Sequence, residues 1–171
     1  TWQSRPLTSR RTPGIRELRE LMLIEPATLE DISYLCHLQR LEARGADGLG
    51  FVPKTAYEDT INQARGGQIL VATENEDRVG FIYSAANSAG VTKIYQVAVQ
   101  DDARRLEIGT ALVDAVTDVN GWLLSLRCRE NLPAIQFWQD LGFTVGGVDR
   151  TPNKRKSPVI RFHKVIGGLW V

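Results

Sequence analysis

Several features that define whole classes of proteins are scarce in this sequence. Two of its 171 residues are cysteine, too few for the disulfide framework that holds many small secreted proteins together. No apolar run reaches the roughly 20 residues needed to cross a bilayer, and no apolar secretory signal opens the chain. We therefore expect a cytoplasmic protein with reduced thiols and no membrane partner.

Residues with the spacing of metal ligands are also scarce. The two cysteines, Cys36 and Cys128, lie far apart in the chain, and the one close pair of cysteine and histidine is Cys36 with its neighbour His37. Adjacent side chains on a helix point in different directions and do not share a tetrahedral ion. We expect no metal site.

Neither sign of charge is in clear excess, with 21 basic side chains against 20 acidic ones. The whole molecule therefore exerts no general attraction on nucleic acid. Residues 1–21 differ from the rest, because they carry five arginines and two glutamates. We interpret them as a basic extension, native or left over from expression, that precedes a single domain over residues 22–171.

A second basic segment lies near the other end of the chain. Residues 150–164 carry six basic side chains and no acidic one. The favoured interpretation is a solvated loop, and the alternative is a surface for an anionic partner such as nucleic acid or an acidic protein. Arg127 and Arg129 would belong to the same surface.

Hydrophobic periodicity and turn residues predict the element order β-α-α-β-β-β-α-β-α-β-β. A capping box at Thr28 and Asp31 begins the first helix, and Pro53 begins the second. The predicted strands cover about 22–25, 68–73, 79–86, 92–99, 122–127, 143–148 and 159–165, with later helices at about 106–119 and 132–141. Hairpins followed by a strand–helix–strand crossover imply an α/β fold with a mixed, mostly antiparallel sheet of about seven strands and helices on both faces.

One strand–loop–helix unit has the composition of an anion site. The apolar strand that ends at Val99 is followed by Arg104 and Arg105, and then by a helix that contains Gly109. A helix N-terminus presents unpaired N–H groups and the positive end of its dipole, and glycine allows close approach to the backbone. The unit suits a pyrophosphate, although many strand-to-helix turns contain a glycine and solvated arginines.

The segment downstream of this unit carries a more specific pattern. It contains Asn131, Ala134, Phe137, Trp138 and the pair Gly142-Phe143. This segment resembles the Asn, Ala, aromatic, Gly-Phe signature of the GCN5-related N-acetyltransferases, the GNAT superfamily. Val97-Ala98-Val99 and the loop at 104–112 form a second motif at the family's spacing, and the likeness extends over about 22–165.

The resemblance implies an enzyme that transfers the acetyl group of acetyl-CoA to a primary amine of a small molecule or a protein. It implies acetyl-CoA held along splayed strands, with backbone groups of Val97 and Val99 pairing with the pantetheine arm and the loop around the pyrophosphate. The resemblance adds the 3′-phosphate of CoA to the anions that the basic segment at residues 150–164 could bind. The cofactor-binding residues that it implies are Val97, Ala98, Val99, Arg104, Arg105, Leu106, Glu107, Ile108, Gly109, Thr110, Asn131, Ala134, Phe137 and Trp138.

Two residues depart from the family's pattern. Glu107 stands where the pattern has a glycine, and repulsion between its carboxylate and a phosphate at ~4 Å costs about 1 kcal/mol in water. We expect this side chain to turn outward and pair with Arg104 or Arg105. Trp138 stands where many members have a tyrosine that protonates the leaving thiolate, and an indole N–H is too weak an acid for that.

The general base is less clearly indicated. An ammonium group must lose a proton before its nitrogen attacks the thioester, and a carboxylate, histidine, tyrosine or ordered water accepts it. By position, the catalytic candidates are Glu42, Tyr83 and Tyr95, each with a structural role as the alternative. Cys128 lies near the expected thioester, but we favour a buried and inert thiol.

Three functions fit these observations. The first is an N-acetyltransferase with a small-molecule or protein amine as acceptor. The second is an enzyme of the same fold that modifies nucleic acid, and the third is a non-catalytic binding domain with a degenerate cofactor loop. The apolar residues Leu169, Trp170 and Val171 could pack on a second copy, which leaves a homodimer open.

Overall fold

The computed structural model describes residues 22–43, 51–101, 105–117, 121–129, 134–150 and 158–166, and within them the predicted order of elements is confirmed. The strands are β1 (Met22–Pro26), β2 (Gln68–Glu74), β3 (Asp77–Ala86), β4 (Val91–Val99), β5 (Leu123–Arg129), β6 (Thr144–Asp149) and β7 (Val159–Val165). The helices are α1 (Ile32–Ala43), α2 (Lys54–Ile61), α3 (Arg105–Ala115) and α4 (Ala134–Asp140), with a short 3-10 turn (Leu29–Asp31) before α1.

The start of α1 is fixed by the predicted capping residues. The Thr28 N–H donates to Asp31 Oδ2 at 2.8 Å, and Arg78 Nε on β3 donates to Asp31 Oδ1 at 2.7 Å. One carboxylate therefore caps the helix and ties it to the sheet.

The third helix is shorter than predicted. It ends at Ala115 rather than near residue 119. The N–H groups of Val116 and Thr117 donate to the carbonyls of Val113 and Asp114, at 3.2 Å each. These i to i−3 bonds tighten the last turn and end the α-helical pattern.

The seven strands form one mixed sheet in the order β1-β2-β3-β4-β5-β7-β6. All neighbouring strands are antiparallel except β4 and β5, which are parallel.

Helices cover both faces of the sheet, as predicted. On one face α1 and α2 pack over β2, β3 and β4 around Leu35, Tyr57 and Phe81. On the other face α3 and α4 enclose a core that includes Leu112 and Phe162.

The parallel pair β4 and β5 separates soon after it begins. Its register runs from Val91 opposite Leu123 to Lys93 opposite Ser125, and no later residues of the two described strands pair. Beyond that point β4 stays paired with β3 as far as Val99, and β5 stays paired with β7 as far as Arg129. A gap therefore opens between the second halves of β4 and β5.

A β-bulge in β4 lies where the gap begins. Tyr83 on β3 pairs with Gln96, whereas the next residue, Ser84, pairs with Ile94, so Tyr95 is an extra residue in β4. A bulge increases the local twist and bends the strand that contains it. The bend turns β4 away from β5 and brings the side chains of Tyr95 and Gln96 to the same face.

Candidate functional site between two diverging strands

The β4 side of the gap is lined by the backbone of two predicted residues. The Gln100 N–H donates to the Val79 carbonyl at 3.0 Å, one step beyond the pair of Gly80 and Val99. Hydrogen-bonded and non-hydrogen-bonded pairs alternate along an antiparallel ladder, so Val97 and Val99 direct their N–H and C=O groups away from β3. These groups face the gap.

Ala98 differs from its two neighbours. The same alternation directs its backbone groups toward β3, and its side chain lies buried in the core under α1 and α2. Neither the backbone groups of Ala98 nor its methyl group is directed into the gap, in contrast to those of Val97 and Val99.

The β5 side of the gap follows the same rule. The Ile166 N–H donates to the Trp122 carbonyl at 2.9 Å, one step beyond the pair of Leu123 and Val165. Alternation then directs the backbone groups of Arg127 away from β7 and toward the gap. Polar backbone groups on both walls need partners, since an unpaired buried N–H or C=O costs about as much as a lost hydrogen bond.

The N-terminus of α3 follows β4 in the chain. Its first-turn N–H groups, at Arg105, Leu106 and Glu107, have no acceptor within the helix. The Leu106 side chain is exposed and the Glu107 side chain is half-buried. The Thr110 hydroxyl donates to the Leu106 carbonyl at 2.7 Å. The turn therefore offers backbone donors and a positive dipole end to an anion.

Gly109 lies against the ring of Phe137. A Cβ at residue 109 would stand 2.4 Å from Cζ of Phe137, so the ring of α4 fills the space above its Cα. The glycine lets α3 and α4 pack closely, and the approach of a phosphate to its backbone stays a prediction. Ile108 is fully buried in the same core, so its side chain also lies away from any ligand.

Trp138 lies in the core rather than at an open surface. It is 7% exposed, and its ring makes edge contacts with Phe137 and Phe143, at centroid distances of 5.4 and 5.3 Å. The indole therefore packs α4 against the start of β6. The structure thus gives Trp138 a role in packing, and contact of its ring with the cofactor stays a prediction.

The three proposed catalytic side chains lie in different environments. Tyr83 is buried, and its hydroxyl lies 3.0 Å from Thr60 Oγ1, which counts against a role as proton acceptor. Tyr95 is 44% exposed and its ring contacts that of Tyr83 in a tilted arrangement, with a centroid distance of 5.0 Å. Glu42 belongs to α1, but its side chain lies outside the described residues.

A buried polar network beside the bulge was not predicted. The Tyr57 hydroxyl donates to Gln96 Oε1 at 2.6 Å, and Gln96 Nε2 donates to Gln39 Oε1 at 3.1 Å. Gln39 also clamps the backbone of Val52, since its Nε2 donates to the Val52 carbonyl at 2.7 Å and its Oε1 accepts from the Val52 N–H at 3.0 Å. The network joins α1, α2 and their connection to the mouth of the gap.

One sequence signal could have revealed this network. Gln39 falls in the apolar stripe of α1 that contains Ile32, Leu35 and Leu38, and it is buried. A polar side chain on a core-facing stripe must find partners. Burial also raises the pKa of the Tyr57 hydroxyl above its usual value, so Tyr57 stays protonated and acts as a donor.

Cys128 has the environment of an inert thiol. It is buried among apolar side chains on β5, and burial raises its pKa to about 11. A protonated thiol is a poor nucleophile, which agrees with the favoured prediction.

The remaining predicted residues lie outside what the structure describes. These are Arg104 and Asn131, together with the side chains of Arg105, Ala134 and Arg129. Within the described ranges, no three His, Cys, Asp or Glu side chains cluster to hold a metal ion. No helix in those ranges is long and apolar enough to span a membrane.

Residues 65–145 match the family model of the acetyltransferase (GNAT) domain. The matched segment contains the bulge, the gap, α3 and α4. No curated protein sequence matches the chain.

Solved structures of N-acetyltransferases share the fold. The ribosomal-protein-S18-alanine N-acetyltransferase from Escherichia coli is 20% identical with a TM-score of 0.66, over 88% of this chain and 98% of that one. The aminoglycoside 6′-N-acetyltransferase from Enterococcus faecium is 19% identical with a TM-score of 0.65, over 85% and 97%. Spermidine N-acetyltransferase from Vibrio cholerae, in complex with CoA and spermine, is 14% identical with a TM-score of 0.66, over 85% and 96%.

Proposed function

Since residues 65–145 form an acetyltransferase domain of the GNAT family, we propose that the protein transfers the acetyl group of acetyl-CoA to a primary amine and binds acetyl-CoA between β4 and β5. The observation that carries this proposal is the pair of backbone walls at the gap. When bound, acetyl-CoA supplies an acyl thioester that an amine nitrogen can attack.

The residues of the gap fit such a ligand. Val97 and Val99 on one wall and Arg127 on the other direct unpaired backbone donors and acceptors inward. A pantetheine arm carries two amides, which can satisfy these groups as a further strand would. The N-terminus of α3 supplies N–H groups for the pyrophosphate.

The acceptor amine is proposed to enter from the face that carries Tyr95. This ring and Gln96 lie at the start of the gap because of the bulge, and Tyr95 is exposed. The network from Gln96 to Gln39 holds the connection that contains Phe51 and Val52, and Phe51 exposes 57% of its surface. Apolar side chains therefore flank the entry.

Water is proposed as the acceptor of the amine proton. Among the described residues, Tyr57 is fully buried and Tyr83 is hydrogen-bonded within the core, so neither reaches an incoming amine. Tyr95 is exposed at the entry and is the alternative acceptor of the proton. The rate should then rise with pH along the titration of the acceptor amine itself. A rate that follows one enzyme pKa for several amines of different basicity would contradict this step.

Isothermal titration with acetyl-CoA tests the function directly. Saturable binding at micromolar ligand, followed by amine-dependent release of CoA thiol, would support an N-acetyltransferase. Absence of binding would favour a domain with a degenerate cofactor loop, and salt-sensitive binding of RNA or DNA would favour a nucleic-acid enzyme.

Several finer features stay predictions. The acceptors named for the three structural neighbours are a protein alanine, an aminoglycoside and a polyamine, which supports an amine for this chain and leaves its identity open. A cytoplasmic location and a homodimer also stay predictions from sequence.

A further inference from the structure

A broad part of the sheet beside the gap has no described helix over it. α1 and α2 cover one face at β2, β3 and β4, whereas α4 packs on the opposite face at β5 and β7. The face of β5, β7 and β6 that continues from α1 and α2 therefore has no described helix over it. Arg127, Arg161 and Val165 on this face are exposed, Val165 at 60%.

Two arginines lie side by side on this open face. Arg127 on β5 pairs with Arg161 on β7 in the antiparallel register, and both are exposed. Directly opposed like charges destabilise a sheet. The ion pairs among the described residues are Lys54 with Glu58 and Arg78 with Asp31, so neither arginine is neutralised by a described carboxylate.

Lys93 extends the positive charge to the strand on the other side of the gap. It pairs with Ser125 in the parallel register, so its side chain belongs to the same face, and its Nζ lies 5.3 Å from the centroid of the Tyr95 ring. His163 pairs with Ser125 from β7 and completes a row across the sheet. We call Lys93, Arg127, Arg161 and His163 the basic face.

Two glycines of β6 keep the basic face flat. A Cβ at Gly147 would stand 2.7 Å from Nη2 of Arg161, and one at Gly146 would stand 2.6 Å from Nδ1 of His163. The side chains of Arg161 and His163 therefore lie across β6 instead of projecting from it. Asp149, opposite Val159 at the far end of β6, is the carboxylate that the register places on this face.

We propose that the basic face binds acidic residues next to the amine of a polypeptide acceptor, an inference that rests on the proposed function. Arg127 belongs to the strand that borders the gap, and β7 lies about 4.8 Å further away. A chain advances about 3.3 Å per residue when extended. Carboxylates two to five residues from the reactive amine would therefore reach Arg127 and Arg161.

Other anions fit the basic face less well. The N-terminus of α3, which would take the CoA pyrophosphate, belongs to the helix layer on the opposite side of the sheet. Three cations and a histidine are few for nucleic acid, since proteins that bind DNA tightly neutralise about 6–10 phosphates. Polycationic amines would be repelled by the same residues.

Binding of labelled peptides tests the inference without requiring acetyl transfer. The probe is a ten-residue peptide with a free N-terminal amine, Asp or Glu at its second to fifth residues and a fluorophore at its C-terminus. We expect Arg161→Gln to weaken its binding about threefold and the Arg127→Gln/Arg161→Gln variant about tenfold, as for exposed ion pairs. Arg65→Gln removes one exposed charge before β2 and should change binding less than about twofold.

Several outcomes would overturn the inference. The first is that a peptide with Lys in place of Asp and Glu binds as tightly as the acidic peptide, or more tightly. The second is that the Arg127→Gln/Arg161→Gln variant, with an unchanged thermal midpoint, binds the acidic peptide with unchanged affinity. Tighter binding of a ten-nucleotide single-stranded RNA would assign the face to nucleic acid instead. Titration of the same samples with acetyl-CoA tests the proposed function separately, because peptide binding is measured without it.

Discussion

The ring of Phe137 lies directly against Gly109, so that a Cβ at residue 109 would stand 2.4 Å from its Cζ atom. Two helices that flank the gap are thereby held together at a point where one of them has no side chain. The glycine of the cofactor motif is therefore needed for packing between α3 and α4.

We predict that Gly109→Ala destabilises the protein. Overpacking a core typically costs about 1–3 kcal/mol, which should exceed the gain of about 1 kcal/mol that alanine brings to a helix. Urea unfolding measures the difference. Gly66→Ala is the matched control, since nothing lies within 4 Å of a Cβ there, and Phe137→Leu in the Gly109→Ala background should restore part of the loss.

Tyr57→Phe should affect both stability and use of the acceptor. It removes the hydroxyl that donates to Gln96 at 2.6 Å, at a cost of about 1 kcal/mol. We expect a higher KM for the amine and little change in acetyl-CoA affinity. Tyr83→Phe removes a buried hydroxyl that contacts Thr60 instead. A rise in the amine KM in that variant as well would show that the network has no special part in acceptor binding.

The thiol of Cys128 should make the protein less stable at alkaline pH. Burial raises the pKa of this thiol from its ordinary value of 9.0 to about 11 in the folded state, so the folded chain holds the proton more tightly. The contribution of this proton to the free energy of unfolding is complete below pH 9 and is lost as the pH rises toward 11. Cys128→Val should flatten the fall in unfolding free energy between pH 9 and 11, measured against its own value at pH 7; an unchanged slope would contradict this assignment.

Val99→Pro should weaken acetyl-CoA binding while the sheet stays intact. Proline removes the N–H that Val99 directs into the gap, and β3 does not use that N–H. Loss of one neutral hydrogen bond should raise the Kd about threefold to tenfold. Ala98→Pro, which removes a ladder bond to β3, should instead lower the thermal midpoint by several degrees. Equal acetyl-CoA affinity in wild type and Val99→Pro would argue against a pantetheine arm along this wall.

Glu107→Gln isolates the charge at the start of α3. The carboxylate lies in the first turn of α3. There it is stabilised by the positive end of the helix dipole, but it would repel a phosphate bound beside it. We expect the variant to bind acetyl-CoA with unchanged affinity, because the side chain turns outward, and to lose a few tenths of a kcal/mol in stability. A severalfold gain in affinity by calorimetric titration in low salt would contradict this and mean that the carboxylate faces the phosphate.

The element order followed from the sequence because it rests on local signals. The β-rich runs of β3 and β4, the capping pair at Thr28 and Asp31, and Pro53 are each signals within a few residues. The two motifs predicted a ligand site beside β4, and a gap opens there between β4 and β5. Helix ends were less well predicted, since the last turn of α3 depends on how its carbonyls are satisfied.

The features that sequence reasoning missed depend on pairing between distant segments. The bulge at Tyr95 exists because of its register with β3. The sequence predicted that Arg127 shares a surface with the basic segment, but its pairing with Arg161 depends on the register between β5 and β7. Trp138 and Gly109 matched a ligand motif, but their surroundings are set by packing between α3, α4 and β6. Such long-range registers cannot be read from one segment alone.

The ladder between β4 and β5 spans three residue pairs, whereas every other ladder in the sheet is longer. Each of the two antiparallel half-sheets is also made from one continuous stretch of chain. The width of the gap between them therefore depends on how far one half-sheet is twisted relative to the other. A change in this twist can fit the gap to the thickness of a ligand without breaking a hydrogen bond within either half-sheet.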